Sequence, residues 1–536
     1  MRFGRSRLQV HAVAVARAAI PSHIRPMIPR LSAALAAVAF FAAGAAAQKR
    51  PSGNDIPAAF AAVREADLRH DVGEMASPEM RGREGGTIDE MRASIWIAEQ
   101  YRKIGLKPLG ERGTYFQWFD MTRTRVSLAA SHASIGGQAM DLFHNFIPLG
   151  VVPAEANGQI LWVADARDSS VDVRGRIVAT PLLPPRPNSI RANSYTFASR
   201  YADAAINTTN AFFARRGATA VIFVASPQVD SAFMVVSDAR IRGTYDVDNA
   251  IPRAANGSMR IAPPPAPGSG PTPSFLAPAS MRDALAAQPQ AELSIRLERF
   301  TVPSVNVIGV VQGTDPKLRD EYVLFSSHQD ANGVRTTLEG DSVHAGADDN
   351  ASVTAAELAA ARAFVKQPGK RSVIFINQGS EERGLIGSRY HAAHPVVPIA
   401  QIVAVLNGDM IGRNNPDTAA LLGSQPPHRN SSDLVAMALR ANSLTGKFVL
   451  DTIWDRPTHP EGWYFRSDHV PYARQNVPSL MYTTNLHDDY HTPRDAPERI
   501  NYPKLTRMAR WMYLTGWFVA NAAERPKVDP GFKLER

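Results

Sequence analysis

Glu321-Tyr-Val-Leu-Phe-Ser-Ser-His-Gln-Asp330 begins as an unbroken apolar run and ends on a histidine and a carboxylate. A short run with no polar alternation suits a strand buried on both faces. Three more of the kind follow: Ser372-Val-Ile-Phe-Ile-Asn377, Ile402-Val-Ala-Val-Leu406 and Ser479-Leu-Met-Tyr-Thr483. Between and after them, spacing predicts helices over 351–365, 431–442 and 505–522, the last with Leu505, Met508, Met512 and Leu514 apolar. Strands alternating with such helices predict an α/β fold, with a mixed, mostly parallel sheet flanked by helices.

Open α/β sheets form their sites just beyond the carboxyl ends of the strands. His328 and Asp330 follow the first run, Glu381 and Glu382 the second, and Asp409 the third; His491 lies eight residues beyond the fourth. Gly346-Ala-Asp-Asp-Asn350 adds two carboxylates where a helix begins. One His or Asp at a strand end is ordinarily a loop residue; the coincidence repeated along the chain is not ordinary. His and carboxylate are the donors that borderline divalent ions accept, so the set reads as a two-metal hydrolase site. The chain has no cysteine, which excludes thiolate ligands, disulfides and a cysteine nucleophile.

A chain of 536 residues is too long for one ordinary core. Upstream, a helical pattern places Phe60, Val63, Leu68 and Val72 on apolar positions. A second helix is expected from Thr87 to Ile104, with Met91, Ile95, Ala98 and Tyr101 on one face and Gly105 ending it. The Gly-rich turn Met80-Arg-Gly-Arg-Glu-Gly-Gly86 has no strand before it and no Lys-Ser after it, so it is structural rather than a phosphate cradle. From about 146 to 300 short β-like runs alternate with Pro- and Gly-rich loops, and no compact His/carboxylate cluster occurs. This region reads as an inserted, non-catalytic, β-rich domain.

The net charge of +9 does not mark a nucleic-acid binder: residues 1–47 hold six arginines and no acid, leaving +3 for the remainder. No basic patch is interleaved with aromatics. Arg30, the Ala-rich run Leu31 to Phe41 and the small residues Gly44-Ala-Ala-Ala47 read as an export signal cleaved near 47. The start is Met1 or Met27. The run is short and weakly apolar for a ~30 Å hydrocarbon core, so no stable membrane insertion is expected after cleavage. The expected location is the periplasm or the extracellular space.

Six blocks carry a resemblance: Ser327-His-Gln-Asp330, Gly346-Ala-Asp-Asp-Asn350, Glu381-Glu-Arg-Gly-Leu-Ile-Gly-Ser388, Asn407-Gly-Asp-Met410, Ser467-Asp-His469 and Tyr490-His-Thr-Pro-Arg-Asp495. In order and spacing they resemble the signature blocks of the co-catalytic zinc exopeptidases, which include bacterial leucine-type aminopeptidases and glutamate carboxypeptidase II. Met80-Arg-Gly-Arg83 and Gly105-Leu-Lys-Pro-Leu-Gly110 resemble that family's amino-terminal segment. Val173-Arg-Gly-Arg-Ile-Val178 and Arg216-Gly-Ala-Thr-Ala-Val-Ile222 resemble a protease-associated domain. The implied organisation is a signal peptide (1–47), the amino-terminal part of the peptidase domain (48–145), a protease-associated insert (146–300) and the catalytic zinc peptidase domain (301–536).

The resemblance implies two zinc ions per chain, with Co²⁺ or Mn²⁺ as substitutes that fit the same donors. His328, Asp349, Glu382, Asp409 and His491 would be the ligands. Asp349 would bridge, with His328 and Asp409 on one ion and Glu382 and His491 on the other. Glu381 would be the general base, passing a proton from the attacking water to the leaving amine. Asp330 would hold the His328 imidazole in its ligating tautomer. Tyr490 would donate a hydrogen bond to the oxyanion, or serve as a structural aromatic beside a ligand.

Other residues take plainer readings. Asp348 and Asn350 are expected to shape their loop and cap the following helix, and Asp468 and His469 to line the pocket. His344, His391, His394, His459 and His487 are expected on the surface or in loops. Trp454, Trp463, Tyr464 and Phe465 either wall a pocket or pack their loop. The implied activity is that of an exported aminopeptidase acting on peptides. A carboxypeptidase of the glutamate carboxypeptidase type is the alternative, with Arg413 and Arg456 as its candidate arginines. A non-catalytic binding protein on the same scaffold is disfavoured, because every ligand position is filled. The insert is expected to cover one side of the cleft and restrict substrate size. Oligomeric state and preferred terminal residue are not legible.

Overall fold

The computed structural model describes residues 56–186, 198–248, 271–338 and 341–534. The export-signal reading over 1–47 lies outside them.

The four apolar runs are strands of one sheet. In chain order the main strands are β1 (Phe116–Val126), β2 (Leu297–Val311), β3 (Tyr322–His328), β4 (Ser372–Gln378), β5 (Ile402–Gly408), β6 (Thr418–Leu422) and β7 (Ser479–Thr483). Across the sheet they run β6-β7-β5-β3-β4-β2-β1, with Val449–Leu450 beyond β6 and Thr244–Asp246 beyond β1. The central strands β7, β5, β3 and β4 are mutually parallel, while β6, β2 and β1 pair antiparallel. The sheet is therefore mixed as expected, but parallel only at its centre. β4, β5 and β7 are buried throughout, whereas β1 and the first half of β2 carry exposed residues. That is the usual division between parallel and antiparallel strands.

Six helices frame the sheet: α1 (Glu65–Met75), α2 (Ile88–Ile104), α3 (Ser352–Lys366), α4 (Ile386–Ala393), α5 (Ser432–Leu444) and α6 (Tyr502–Asn521). Strand side chains alternate between faces. Val323, Phe325, Val373 and Phe375 join the core under α1, α3 and α6, and Leu324, Ile374 and Ile376 join the opposite one. Helix α3 is buried all round from Ser352 to Ala361, as its run of alanines allows.

Two upstream expectations change. The pattern from Phe60 to Val72 is not one helix: Val63 is extended (φ −83°, ψ 91°) between the short turn Ala58–Ala62 and α1. Its carbonyl accepts from Arg510 Nε at 3.2 Å instead of continuing a helix. On α2, Ile95 is exposed, and the buried face carries Glu90, Ala93, Ser94, Ile97, Ala98 and Tyr101. Glu90 turns inward because it accepts from the main-chain N–H groups of Gly86 and Ser380, at 2.7 and 2.8 Å.

β1 and β2 pair from Phe116↔Val307 to Val126↔Leu297. The chain between their far ends builds a second, eight-stranded sheet with its own core around Phe146, Phe223, Phe275 and Leu293. Strand His132–Ile135 already belongs to this sheet, upstream of the expected opening at 146. That strand is short and ends at Gly136-Gly137, so it carries little β pattern of its own. Helices Ala198–Asn210 and Phe233–Ile241 accompany the sheet. Among the described residues no helix is long and apolar enough to cross a membrane.

Candidate metal centre

β3 ends on His328, whose Nδ1 lies 3.1 Å from the main-chain oxygen of Asp330. This leaves Nε2 facing Asp349 Oδ1 at 3.2 Å, Glu381 Oε2 at 3.9 Å and Asp409 Oδ1 at 4.0 Å. His491 Nε2 faces the other side of the same carboxylate, 3.1 Å from Asp349 Oδ2, and lies 3.0 Å from Glu382 Oε1. Asp349 thus offers one oxygen to each imidazole. Donor atoms of His328, Glu381 and Asp409 form one compact group, and those of Asp349, Glu382 and His491 a second. All five expected ligands come together.

The arrangement fits divalent cations. Both Nε2 atoms are buried and lack a hydrogen-bond partner while facing several carboxylates. Left to the protein's own groups, the charge is unbalanced. Burial, with Asp349 adding to it, pushes Asp409 up to about 8. Burial likewise raises Glu381 well above the usual carboxylate range, against the opposing pull of His328. Burial alone would lower His491, but Glu382 and Asp349 outweigh it and push it up to about 9. For Asp349 burial acts upwards, yet the two imidazoles together hold it well below its ordinary value. Buried charges of this density require compensation, which divalent cations held by these donor groups would supply.

The carboxylate-bearing loop is held from several sides. Gly346 has φ +57°, and a Cβ there would overlap the Asp349 carbonyl oxygen and sit 2.6 Å from Ala331 Cβ. The Asp495 carboxylate accepts from the N–H groups of Asp348 (2.9 Å) and Asp349 (3.0 Å). Arg83, fully buried, donates to the carbonyls of Gln329 (2.8 Å), Ala345 (2.7 Å), Gly346 (3.0 Å) and Met75. One guanidinium therefore ties α1, the loop after β3 and the loop before Asp349. Arg83→Met leaves four carbonyls without that donor and is expected to destabilise the fold by at least about 3 kcal/mol in urea unfolding. Wild-type stability in that variant would sink the bracing role.

Asp348 and Asn350 do shape their loop, but they do not cap α3. Asp348 Oδ1 accepts from Gly412 N at 2.6 Å, and Asn350 Nδ2 donates to Gly408 O at 3.1 Å. Both tie the loop to the segment after β5 that carries Asp409, while Ser352 Oγ donates back to Asp348 O. His487 is buried, 3.5 Å from Asp348 Oδ2, not a surface residue. His391 is buried too, beside the Tyr472 hydroxyl at 2.7 Å.

Asp330 faces the His328 imidazole as expected, its main-chain oxygen 3.1 Å and its carboxylate Oδ1 3.7 Å from Nδ1. The carboxylate also accepts from Glu381 N (2.9 Å) and Glu382 N (3.2 Å). It therefore orients the Glu-Glu turn. Tyr490 stacks on His491 with ring centroids 3.6 Å apart, and its hydroxyl accepts from Arg466 at 2.9 Å. Its own O–H remains available to donate. Trp463 and Tyr464 are buried and pack their loop, while Phe465 faces a cavity. Asp468 is buried and accepts from Ser388 Oγ at 2.5 Å; it stands outside both donor groups. Arg413 is held by Asp489 at 2.5 Å.

The model of peptidase family M28 matches residues 306–515, the stretch that holds every one of these candidate ligands. Over this stretch the chain resembles peptidase family M28. That family is one of zinc peptidases. Arg83, which braces the candidate centre, and α1 and α2 precede the matched stretch.

Among curated proteins, Aminopeptidase YwaD of Bacillus subtilis (strain 168) is 26% identical to this chain over 253 residues, covering 46% of this chain and 51% of that protein. A probable zinc metalloprotease of Leptosphaeria maculans is 24% identical over 266 residues, covering 42% and 60%. The chain thus spans between half and three-fifths of the length of these relatives. Among solved structures, an aminopeptidase from Aneurinibacillus sp. strain AM-1 aligns over 88% of this chain and 97% of its own (TM-score 0.53, 19% identity). BSAP, a zinc aminopeptidase from Bacillus subtilis, aligns over 88% and 99% (TM-score 0.53, 18% identity). These two share the fold.

Proposed function

We propose that the chain is an exported aminopeptidase that removes amino-terminal residues from peptides with two zinc ions per chain. The observation that carries the reading is the division of Asp349 between His328 and His491, with Glu381 adjacent. His328 and Asp409 would hold one ion, Glu382 and His491 the other, and Asp349 would be shared. Bound there, zinc would polarise the scissile carbonyl and lower the pKa of the attacking water.

The chain's own groups do the rest. Glu381, fixed through its backbone by Asp330, accepts a proton from the water and delivers it to the leaving amine. The Tyr490 O–H, set in place by Arg466, donates to the oxygen on which charge develops. Carboxylates of the centre offer the acidic surroundings that a free α-amine needs.

The insert, which resembles a protease-associated domain, supplies one wall of the cleft in this reading. Asp238, Arg242 and Tyr245 line a cavity of about 410 Å³ together with Glu382 and His491. Arg242 grips Glu84 through both carboxylate oxygens at 2.7 and 2.9 Å, and Arg200 pairs with Glu461. Such a wall supports a preference for short peptides. Neither arginine considered for a carboxypeptidase supports that alternative: Arg413 is committed to Asp489, and Arg456 lines neither cavity beside the centre.

A substrate panel tests the proposal. Aminoacyl chromophores with a free amine are expected to be cleaved, their N-acetyl forms spared, and activity lost with chelator and regained with zinc. Cleavage that instead demands a free carboxyl terminus would contradict it.

A further inference from the structure

The Glu-Glu turn is gripped by side chains at four consecutive main-chain N–H groups. Gly379 N donates to Asn306 Oδ1 at 3.0 Å, and Ser380 N to Glu90 Oε1 at 2.8 Å. Glu381 N and Glu382 N donate to the two Asp330 carboxylate oxygens at 2.9 and 3.2 Å. Ser380 sits in the left-handed region (φ 54°, ψ 39°), which a residue with a Cβ rarely adopts. Such a conformation persists only where its surroundings over-determine it.

Asn306 and Asp330 lie within the stretch that resembles family M28, whereas Glu90 comes from α2, upstream of it. The Glu90 carboxylate is buried and joins two segments. Oε2 accepts from Gly86 N at 2.7 Å while Oε1 holds Ser380, and Ser304 Oγ lies 3.0 Å from both oxygens. The Gly-rich turn before α2 leans on the same place. A Cβ on Gly85 would stand 2.7 Å from Ser380 Oγ and 3.0 Å from Asp330 Oδ2, so a glycine is needed for this approach. Glu84, on the same turn, pairs with Arg383, the residue after Glu382. Burial, with Asp330 adding to it, pushes Glu90 up to about 8. A buried acid is costly to keep unless its oxygens are met, and here two main-chain N–H groups meet them.

We propose that Glu90 is a positioning residue for the reaction: by fixing Ser380, it sets the Glu381 carboxylate against the attacking water. The inference rests on the aminopeptidase reading above, in which Glu381 takes that water's proton. Asp330 fixes the N–H groups of Glu381 and Glu382, and Glu90 fixes the residue before them, whose torsions decide the direction in which Glu381 leaves β4. The Glu382 carboxylate has a further hold, Asn332 Nδ2 at 3.1 Å. Loss of Glu90 therefore disturbs the proton acceptor more than the neighbouring ligand. A shift of ~1 Å in a reacting group costs about 10²-fold in rate.

The test measures kcat, KM and bound zinc for hydrolysis of free-amine aminoacyl chromophores by the zinc-loaded full chain and its variants. Glu90→Ala is expected to lower kcat by about 10²-fold, with KM within about threefold of wild type and both zinc ions retained. Glu90→Gln offers one accepting oxygen where Gly86 and Ser380 need one each, and is expected to lower kcat about tenfold. It decides the matter if the alanine variant does not fold. Asp71→Asn, which weakens the buried pair with Arg362 between α1 and α3, is the comparator: its thermal unfolding should fall while kcat stays at the wild-type value. A kcat for Glu90→Gln no lower than that of Asp71→Asn would overturn the inference, as would a loss of rate that only tracks a loss of zinc. Both outcomes leave the aminopeptidase reading standing. A zinc-loaded wild type that cleaves no free-amine substrate would instead sink that reading.

Discussion

Glu381→Gln is expected to lower kcat by about 10³-fold while KM and bound zinc stay close to wild type. The substitution keeps the side chain's size but removes the group that accepts and returns a proton. Its backbone N–H remains held by Asp330, so the turn that carries Glu382 keeps its shape. Measuring kcat, KM and metal content together separates loss of the proton acceptor from loss of metal. A variant with two ions and undiminished kcat would show that another group moves the proton.

Asp349→Asn should be as severe for a different reason. Asp349 presents Oδ1 to His328 and Oδ2 to His491; an amide offers one oxygen and one NH₂, and so cannot serve both sides. Bound zinc is expected to fall from two to one or fewer per chain, with activity reduced at least about 10³-fold. The loop itself should survive, because Asp495 grips it through main-chain N–H groups that the substitution leaves intact. Thermal unfolding near that of the metal-free wild type, together with metal analysis, would distinguish this outcome from misfolding. Retention of both ions with full activity would mean that the centre is not built around this carboxylate.

What the sequence made legible follows from what each residue needs. The buried parallel strands announce themselves as unbroken apolar runs, and several candidate ligands follow their carboxyl ends, so the centre of the sheet and the group of candidate donors could both be read. The antiparallel flanks could not. The short strand His132–Ile135 has no periodicity to separate it from a loop. The expected face of α2 holds at Ala98 and Tyr101 but not at Ile95, because its inward side is set in part by Glu90, a buried acid that amphipathic patterning assigns to solvent. Arg83 and Asp495 act on main-chain atoms of residues distant in sequence, and such bonds leave no local signature; Asp495 was visible only as the end of a motif. The second role of Asp330, its carboxylate accepting from the Glu-Glu turn while carbonyl and carboxylate both face the imidazole, is one that spacing does not resolve.

The central claim is that two ions act together in one site organised by Asp349. Zinc should be titrated into chelator-treated protein while bound metal and hydrolysis of a free-amine aminoacyl chromophore are followed in the same samples. The account predicts saturation at two zinc ions per chain, with full activity reached only as the second binds. Saturation at one ion with full activity, or undiminished hydrolysis without metal, would contradict it.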